Sequence, residues 1–219
     1  MTLNTDALIH RLSLDLQAAP PLRRPFLRSI VWTTAAGLYV ALVVMWMASP
    51  DVAMGRWRDP SFAIQQVAAL VTTFTAAAAA LSMTIPGRGR IASLVAVAAT
   101  SVWLGIVLRG CLYDWMAAGS VGLALRGDWA CVAGIPMTGA LPGLALAVML
   151  RRGAPLHPRP TAALGALSVA SLASLGMCVA QPHERDVIIL VWHGATIAGA
   201  SVLAAMVGRS ILNWKHLSP

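Results

Sequence analysis

Six long apolar runs, each without an acidic or basic residue, dominate the pattern of hydrophobic and polar positions along the chain. Each run has 18 to 24 residues, and a helix of about 20 residues crosses the roughly 30 Å of hydrocarbon in a bilayer. Only helices satisfy all their backbone hydrogen bonds within one such segment in lipid, and the runs lack the alternation of a membrane strand. The pattern therefore predicts an all-α bundle of six transmembrane helices over residues 30–48, 62–85, 91–108, 132–150, 161–180 and 187–207.

Two shorter segments also have a helical pattern. Residues 115–125 are apolar but too short to span, so we expect a separate short helix in the membrane interface. Residues 5–19 place apolar side chains at helical spacing on one face, and the Pro20–Pro21 pair ends the pattern. We expect residues 1–28 to form an N-terminal segment with this amphipathic helix and no cleavable signal peptide, 29–208 the transmembrane domain and 209–219 a tail.

The composition agrees with a membrane protein. The chain is 58% hydrophobic and 11% charged, whereas soluble domains have about 25% charged residues, so a soluble enzyme and a disordered protein are both excluded. Eleven of the 16 Lys and Arg residues flank the even side of the six spans, and five flank the odd side. Because cytoplasmic loops carry the excess of positive charge, both termini are predicted to be cytoplasmic, and the net charge of +8 reflects topology rather than nucleic-acid binding.

Catalytic patterns are absent from the sequence. The spans carry no charged residue that would form a proton relay or buried ion pair, and the chain has no P-loop, HExxH, GxSxG or CxxC motif. We therefore expect a protein that is not an enzyme and needs no cofactor. His193 is the one histidine within a predicted span, and a hydrogen-bonding or packing role is favoured there over a role as a ligand.

Three cysteines fall at nearly the same depth on the predicted outer side: Cys111, Cys131 and Cys178. In an oxidising periplasm two of them would be able to form a disulfide. The thiolates of Cys131 and Cys178, with His183 nearby, would also suit a soft metal ion. The third alternative is that each cysteine is a small apolar packing residue.

The amphipathic segment at the N-terminus also has two interpretations. Its apolar stripe would either lie on the inner leaflet or occupy a groove of a partner protein. Partner binding is favoured because the segment has no Trp or Phe and no Lys-rich polar face. The stripe consists of Leu8, Ile9, Leu12 and Leu16.

Three groups of residues, taken together, carry a family resemblance that extends over essentially the whole chain. They are Leu8, Ile9, Leu12 and Asp15 before a double proline; Trp129 to Cys131, Pro136, Pro142 and 150–155; and 178–186, Val191 to His193 and 208–214. In order and spacing the sequence resembles the NrsF family, the six-helix negative regulators of extracytoplasmic-function (ECF) sigma factors.

The resemblance implies an anti-sigma factor in the bacterial inner membrane. Such a protein would hold an ECF sigma factor at the cytoplasmic face, without contacting nucleic acid itself, and release it on a periplasmic redox or metal signal. The family's paired outer cysteines correspond to Cys131 and Cys178, with Cys111 additional, and Asp15 joins the apolar stripe as a partner-binding residue. A small transporter and a membrane thiol oxidoreductase are the alternatives, but the charge-free spans disfavour the first and the missing CxxC disfavours the second.

The predicted topology is tested with reporter fusions. A reporter that is active only in the cytoplasm should work when fused after Pro219 and should fail when inserted near Ala118. Activity at Ala118 would overturn the arrangement of six spans with both termini inside.

Overall fold

The computed structural model of the chain describes residues 5–14, 24–48, 55–85, 87, 89–119, 129–153, 155–180 and 185–212. These residues form helices joined by turns, and the described ranges contain no strand. The helices are α1 (Thr5–Leu14), α2 (Pro25–Met47), α3 (Pro60–Ser82), α4 (Gly89–Ala118), α5 (Trp129–Arg151), α6 (Pro158–Ala180) and α7 (Asp186–Ile211).

The predicted fold class is confirmed, because helices α2 to α7 are each long and apolar enough to cross a membrane. Most of them begin a few residues before the uncharged run on which the prediction rested. Pro25, Pro60 and Pro158 each lie at the first position of a helix, where the fixed φ of proline suits the helix and its missing N–H costs nothing. The helices therefore begin at these prolines rather than at the first residue of the apolar run.

Helix α4 differs from the predicted span over 91–108 followed by a separate short helix over 115–125. It runs without a break from Gly89 to Ala118, so Trp115 belongs to the third span and does not begin a separate interfacial helix. Arg109 and Asp114 end the apolar run, but neither interrupts the backbone hydrogen bonds, and α4 ends only where Gly119 has a φ of 57°. Thirty residues extend over about 45 Å, so α4 is longer than the hydrocarbon layer is thick.

Helix α6 lies at the centre of the bundle and packs against α2, α3, α5 and α7. Small side chains on α6 allow its neighbours to come close, which is how helices associate where lipid removes the hydrophobic driving force. A Cβ atom added to Gly176 of α6 would lie 2.5 Å from Cγ1 of Val40 on α2. On the α5 side, a Cβ added to Gly139 would lie 3.0 Å from Cγ1 of Val169.

Arginine side chains join the C-terminal ends of three helices to other parts of the bundle. Arg28 Nη2 donates to the carbonyl of Met149 at 2.6 Å, and Arg151 Nε donates to the carbonyl of Ile211 at 2.5 Å. At the opposite end of the bundle, Arg56 donates to the carbonyl of Cys178. The last carbonyls of a helix have no partner within the helix and carry a partial negative charge, so each guanidinium supplies both a donor and a matching charge.

The N-terminal segment is helical over Thr5–Leu14 as α1, within the range expected from the sequence. It does not pack extensively against the bundle, and the side chains of Ile9 and Leu14 are 59% and 74% exposed. Asp15 and Leu16 lie outside the described residues, as do the side chains of Leu8 and Leu12. The cytoplasmic location of α1 stays a prediction.

Candidate functional site

The structure places the three cysteines at one end of the bundle, which we call the cysteine end. Cys111 lies near the end of α4, Cys131 in the first turn of α5 and Cys178 near the end of α6. Cys111 and Cys178 are buried. A Cβ added to Gly134, one turn after Cys131, would lie 2.6 Å from Cε of Met177, the residue before Cys178. The first turn of α5 and the end of α6 therefore lie at a similar depth, as the sequence leads us to expect.

A buried polar contact joins α6 to α7 beside Cys178. The Nδ1 atom of His193 is 2.7 Å from Ser174 Oγ and 3.6 Å from Cys178 Sγ. All three side chains are buried, and His193 is completely so. Ser174 and Cys178 are four residues apart on α6, which places them on the same face of the helix.

The histidine is held in an unusual segment of backbone. Residues Ile189–His193 form a π-helical turn within α7, and such turns are rare and frequent at functional sites. The interpretation of His193 as a buried hydrogen-bonding residue is confirmed. The five residues of the turn contain no glycine or proline that would have indicated it, and Gly194 follows directly after the turn.

A second group of polar residues lies on the other side of α7. The carboxylate of Asp186 contacts α4 at Gly110, where an added Cβ would be only 1.7 Å from Oδ2. Gln65 lies beside Asp186. Within the described part of the chain, Oε1 of the neighbouring Gln66 is buried without a hydrogen-bond partner. Sequence reasoning missed this group, although two adjacent amides in an apolar run are the kind of signal that indicates a polar site in a membrane protein.

Charged residues before α3 complete the cysteine end. The guanidinium of Arg56, which bonds the Cys178 carbonyl, lies 4.2 Å from the centre of the Phe62 ring. Asp59 caps α3 by accepting hydrogen bonds from the backbone N–H and hydroxyl of Ser61, at 2.9 and 2.8 Å. These two bonds hold the pKa of the Asp59 carboxyl below its usual value.

The structure does not test the predicted metal ligands as a set. The side chain of Cys131 and the whole of His183 lie outside the described residues. Among the residues that are described, no group of three or more His, Cys, Asp or Glu side chains is arranged to hold a metal ion. Signal sensing by Cys131 and Cys178, with or without a metal, therefore stays a prediction, as does the additional role of Cys111.

Six helices that are each long and apolar enough to cross a membrane define a multi-pass helical membrane protein. Residues 12–214 match the NrsF family, described as negative regulator of sigma F, and the chain belongs to that family. The resemblance found in the sequence is thus confirmed, and the family is one of negative regulators of a sigma factor. No curated protein and no solved structure matches the chain.

Two serines on α6 provide a matched test of the contact with His193. Ser174 bonds the imidazole, whereas Ser171 Oγ is buried without a partner among the described residues. Ser174→Ala should lower the free energy of unfolding by about 1–3 kcal/mol, because it leaves a buried polar group without this bond. Ser171→Ala should leave stability unchanged or slightly raised. The measurement is denaturant unfolding of the purified protein in micelles, and equal losses in the two variants would show that the bond does not stabilise the fold.

Proposed function

We propose that the chain is a membrane-bound anti-sigma factor that holds an ECF sigma factor at the cytoplasmic face of a bacterial inner membrane. The family supports regulation of a sigma factor. The end of the bundle opposite the cysteines, which we call the arginine end, supports its assignment as the cytoplasmic face by the positive-inside rule. The arginines described there are Arg24, Arg28, Arg90, Arg151, Arg152, Arg159 and Arg209.

Helix α1 is the observation that supports this function best. It precedes α2 at the arginine end and presents apolar side chains without packing extensively on the bundle, as the exposed Ile9 shows. Asp6, His10 and Ser13 are exposed polar residues of the same helix. A short amphipathic helix of this kind suits recognition by a groove of a partner protein, with Leu8, Ile9, Leu12 and Leu16 as anchors.

The binding segment is tested by placing an aspartate either on the apolar stripe of α1 or on the opposite face of the helix. Burial of a leucine side chain contributes about 1.5–3 kcal/mol, so Leu12→Asp and Ile9→Asp should each weaken sigma-factor binding about tenfold or more. Leu14→Asp is the control, because Leu14 is exposed but lies on the opposite side of the helix from the stripe. Binding is measured by titrating purified sigma factor onto the full chain in nanodiscs, and release is measured by transcription of the sigma factor's target genes.

Two results would contradict a binding site on α1. One is an equal loss of binding in all three aspartate variants, which would indicate a general effect of negative charge. The other is repression that survives removal of residues 2–20, which would place the binding site in the loops.

We further propose that Cys131 and Cys178 sense the releasing signal. Cys178 lies in a closely packed contact with His193, so a bond or ion added at its sulfur would have to displace neighbouring side chains. Helices α5 and α6, which carry the two cysteines, follow each other directly in the chain and are connected at the arginine end. A disulfide requires the two Cα atoms to approach within about 7 Å, and a soft metal requires deprotonated thiols. Either event would move the two helices relative to each other.

The double variant Cys131→Ser, Cys178→Ser tests the sensor. It should insert normally but should give the same reporter output with and without an oxidant or cadmium, because positions 131 and 178 can then form neither a disulfide nor a pair of thiolate ligands. Cys111→Ser is the matched single substitution at the same end of the bundle and should keep most of the response. A normal response from the double variant would leave the cysteines as packing residues.

A further inference from the structure

Two atoms of the kinds that bind metal ions lie close together inside the bundle, on different helices. The Nδ1 atom of His193 on α7 is 3.6 Å from the Sγ atom of Cys178 on α6, and both side chains are buried. Imidazole nitrogen and thiolate sulfur bind zinc at about 2.0–2.1 Å and about 2.3 Å, so two such ligands of one tetrahedral ion are about 3.6 Å apart. The two atoms therefore already have the separation of neighbouring ligands on one ion.

The backbone holds these two side chains against each other. His193 is the last residue of the π-helical turn in α7, and turns of this kind are frequent at functional sites. Cys178 lies two residues before the end of α6, and its carbonyl accepts the hydrogen bond from Arg56. The sulfur is thus fixed at the cysteine end, near the edge of the membrane from which an ion would enter, and the histidine reaches it from the neighbouring helix.

We propose that Cys178 Sγ and His193 Nδ1 are two ligands of one tetrahedral site for a thiophilic divalent ion such as zinc or cadmium. The proposal rests on the sensor proposed above, in which Cys131 supplies a second thiolate. Two thiolates and a neutral imidazole balance the charge of a divalent ion, as burial requires. Each thiol gives its proton to water when its sulfur binds the ion. His193, rather than His183, is then the nitrogen ligand.

Ser174 is the residue that an ion would have to displace. Its hydroxyl is 2.7 Å from the same Nδ1 atom, and a nitrogen lone pair that binds a metal cannot also accept a hydrogen bond. The hydroxyl would then turn to the carbonyl of Ala170, one turn earlier in α6. Other hydroxyls in the bundle make such bonds, since those of Thr73 and Thr161 donate to the carbonyls four residues earlier. Ser174 therefore holds His193 in the metal-free state and competes with the ion for it.

The test is the binding of cadmium ions to the purified, reduced full chain in detergent micelles. Ultraviolet absorption of the cadmium–thiolate bond gives the Kd, and the cadmium NMR chemical shift separates sulfur-only ligand sets from sets that include nitrogen. His193→Asn should raise the Kd about tenfold or more and shift the signal to that of a sulfur-only set. Asparagine keeps a hydrogen-bonding atom near the position of Nδ1, but its amide is a poor ligand for a soft ion. His183→Asn is the matched control and should change neither quantity.

Two serine variants separate a metal ligand from a merely structural histidine. Ser174→Ala should lower the Kd for cadmium about fivefold, because the ion no longer has to break a hydrogen bond. Ser171→Ala removes a buried hydroxyl from the same helix and should leave the Kd unchanged. If His193 only stabilises the fold, Ser174→Ala would weaken cadmium binding or leave it unchanged. If His193→Asn fails to fold, Ser174→Ala and the NMR signal of the unchanged chain still decide the question.

Three results would overturn the proposal. They are a sulfur-only cadmium signal from the unchanged chain, a His193→Asn variant that binds cadmium as tightly as the unchanged chain, and cadmium binding that survives Cys178→Ser. None of these measurements involves a sigma factor, so failure of the site and failure of the sensor are distinguishable. Cadmium bound through His193 without any reporter response would contradict the sensor alone, whereas a sulfur-only signal with a normal response would remove His193 alone.

Discussion

Close packing around α6 is the constraint on which the rest of the structure depends. In a bilayer the surrounding lipid is as apolar as the helices, so van der Waals contact and interhelical hydrogen bonds hold the bundle together. The window of α6 that would lie in the membrane is 61% buried, the highest value of the six spans. Gly176 allows α2 to approach this helix, and Ser168 donates to the carbonyl of Thr73 on α3 at 2.8 Å. A helix with larger side chains at these positions would not accept four neighbours.

The same constraint explains where the strong polar interactions occur. Within the bilayer every backbone group must be satisfied inside the protein, and helix ends are where this is hardest. Arginines from elsewhere in the bundle reach the carbonyls of Met149, Cys178 and Ile211, near the ends of three helices. Arg56, which bonds the Cys178 carbonyl, also lies over the Phe62 ring. It therefore attaches the segment before α3 to the end of α6 that carries Cys178. The cysteine end is thus held together by contacts from several helices.

The sequence predicts the six spans well because length and absence of charge are local properties that the bilayer itself imposes. It also places the cysteines at one end, since the number of spans between them fixes the side. It fails for α4, because charged Arg109 and Asp114 end an apolar run without ending a helix. The contact of Ser174 with His193 could not be predicted from the sequence for a different reason. It depends on the rotation of α6 and α7 relative to each other, which the hydrophobic periodicity of each helix does not determine.

The π-turn in α7 allows one helix to serve two neighbours. Asp186 and His193 are seven residues apart, and in a regular α-helix this spacing would place them within about 20° of the same face. In the structure Asp186 contacts Gly110 on α4, whereas His193 bonds Ser174 on α6. The additional residue of the π-turn changes the rotational phase of the helix by about 100° between the two contacts. Deleting one residue within Ile189–His193 would restore a regular helix. Helix α7 would then be able to keep the contact of Asp186 with α4 or the bond of His193 to α6, but not both.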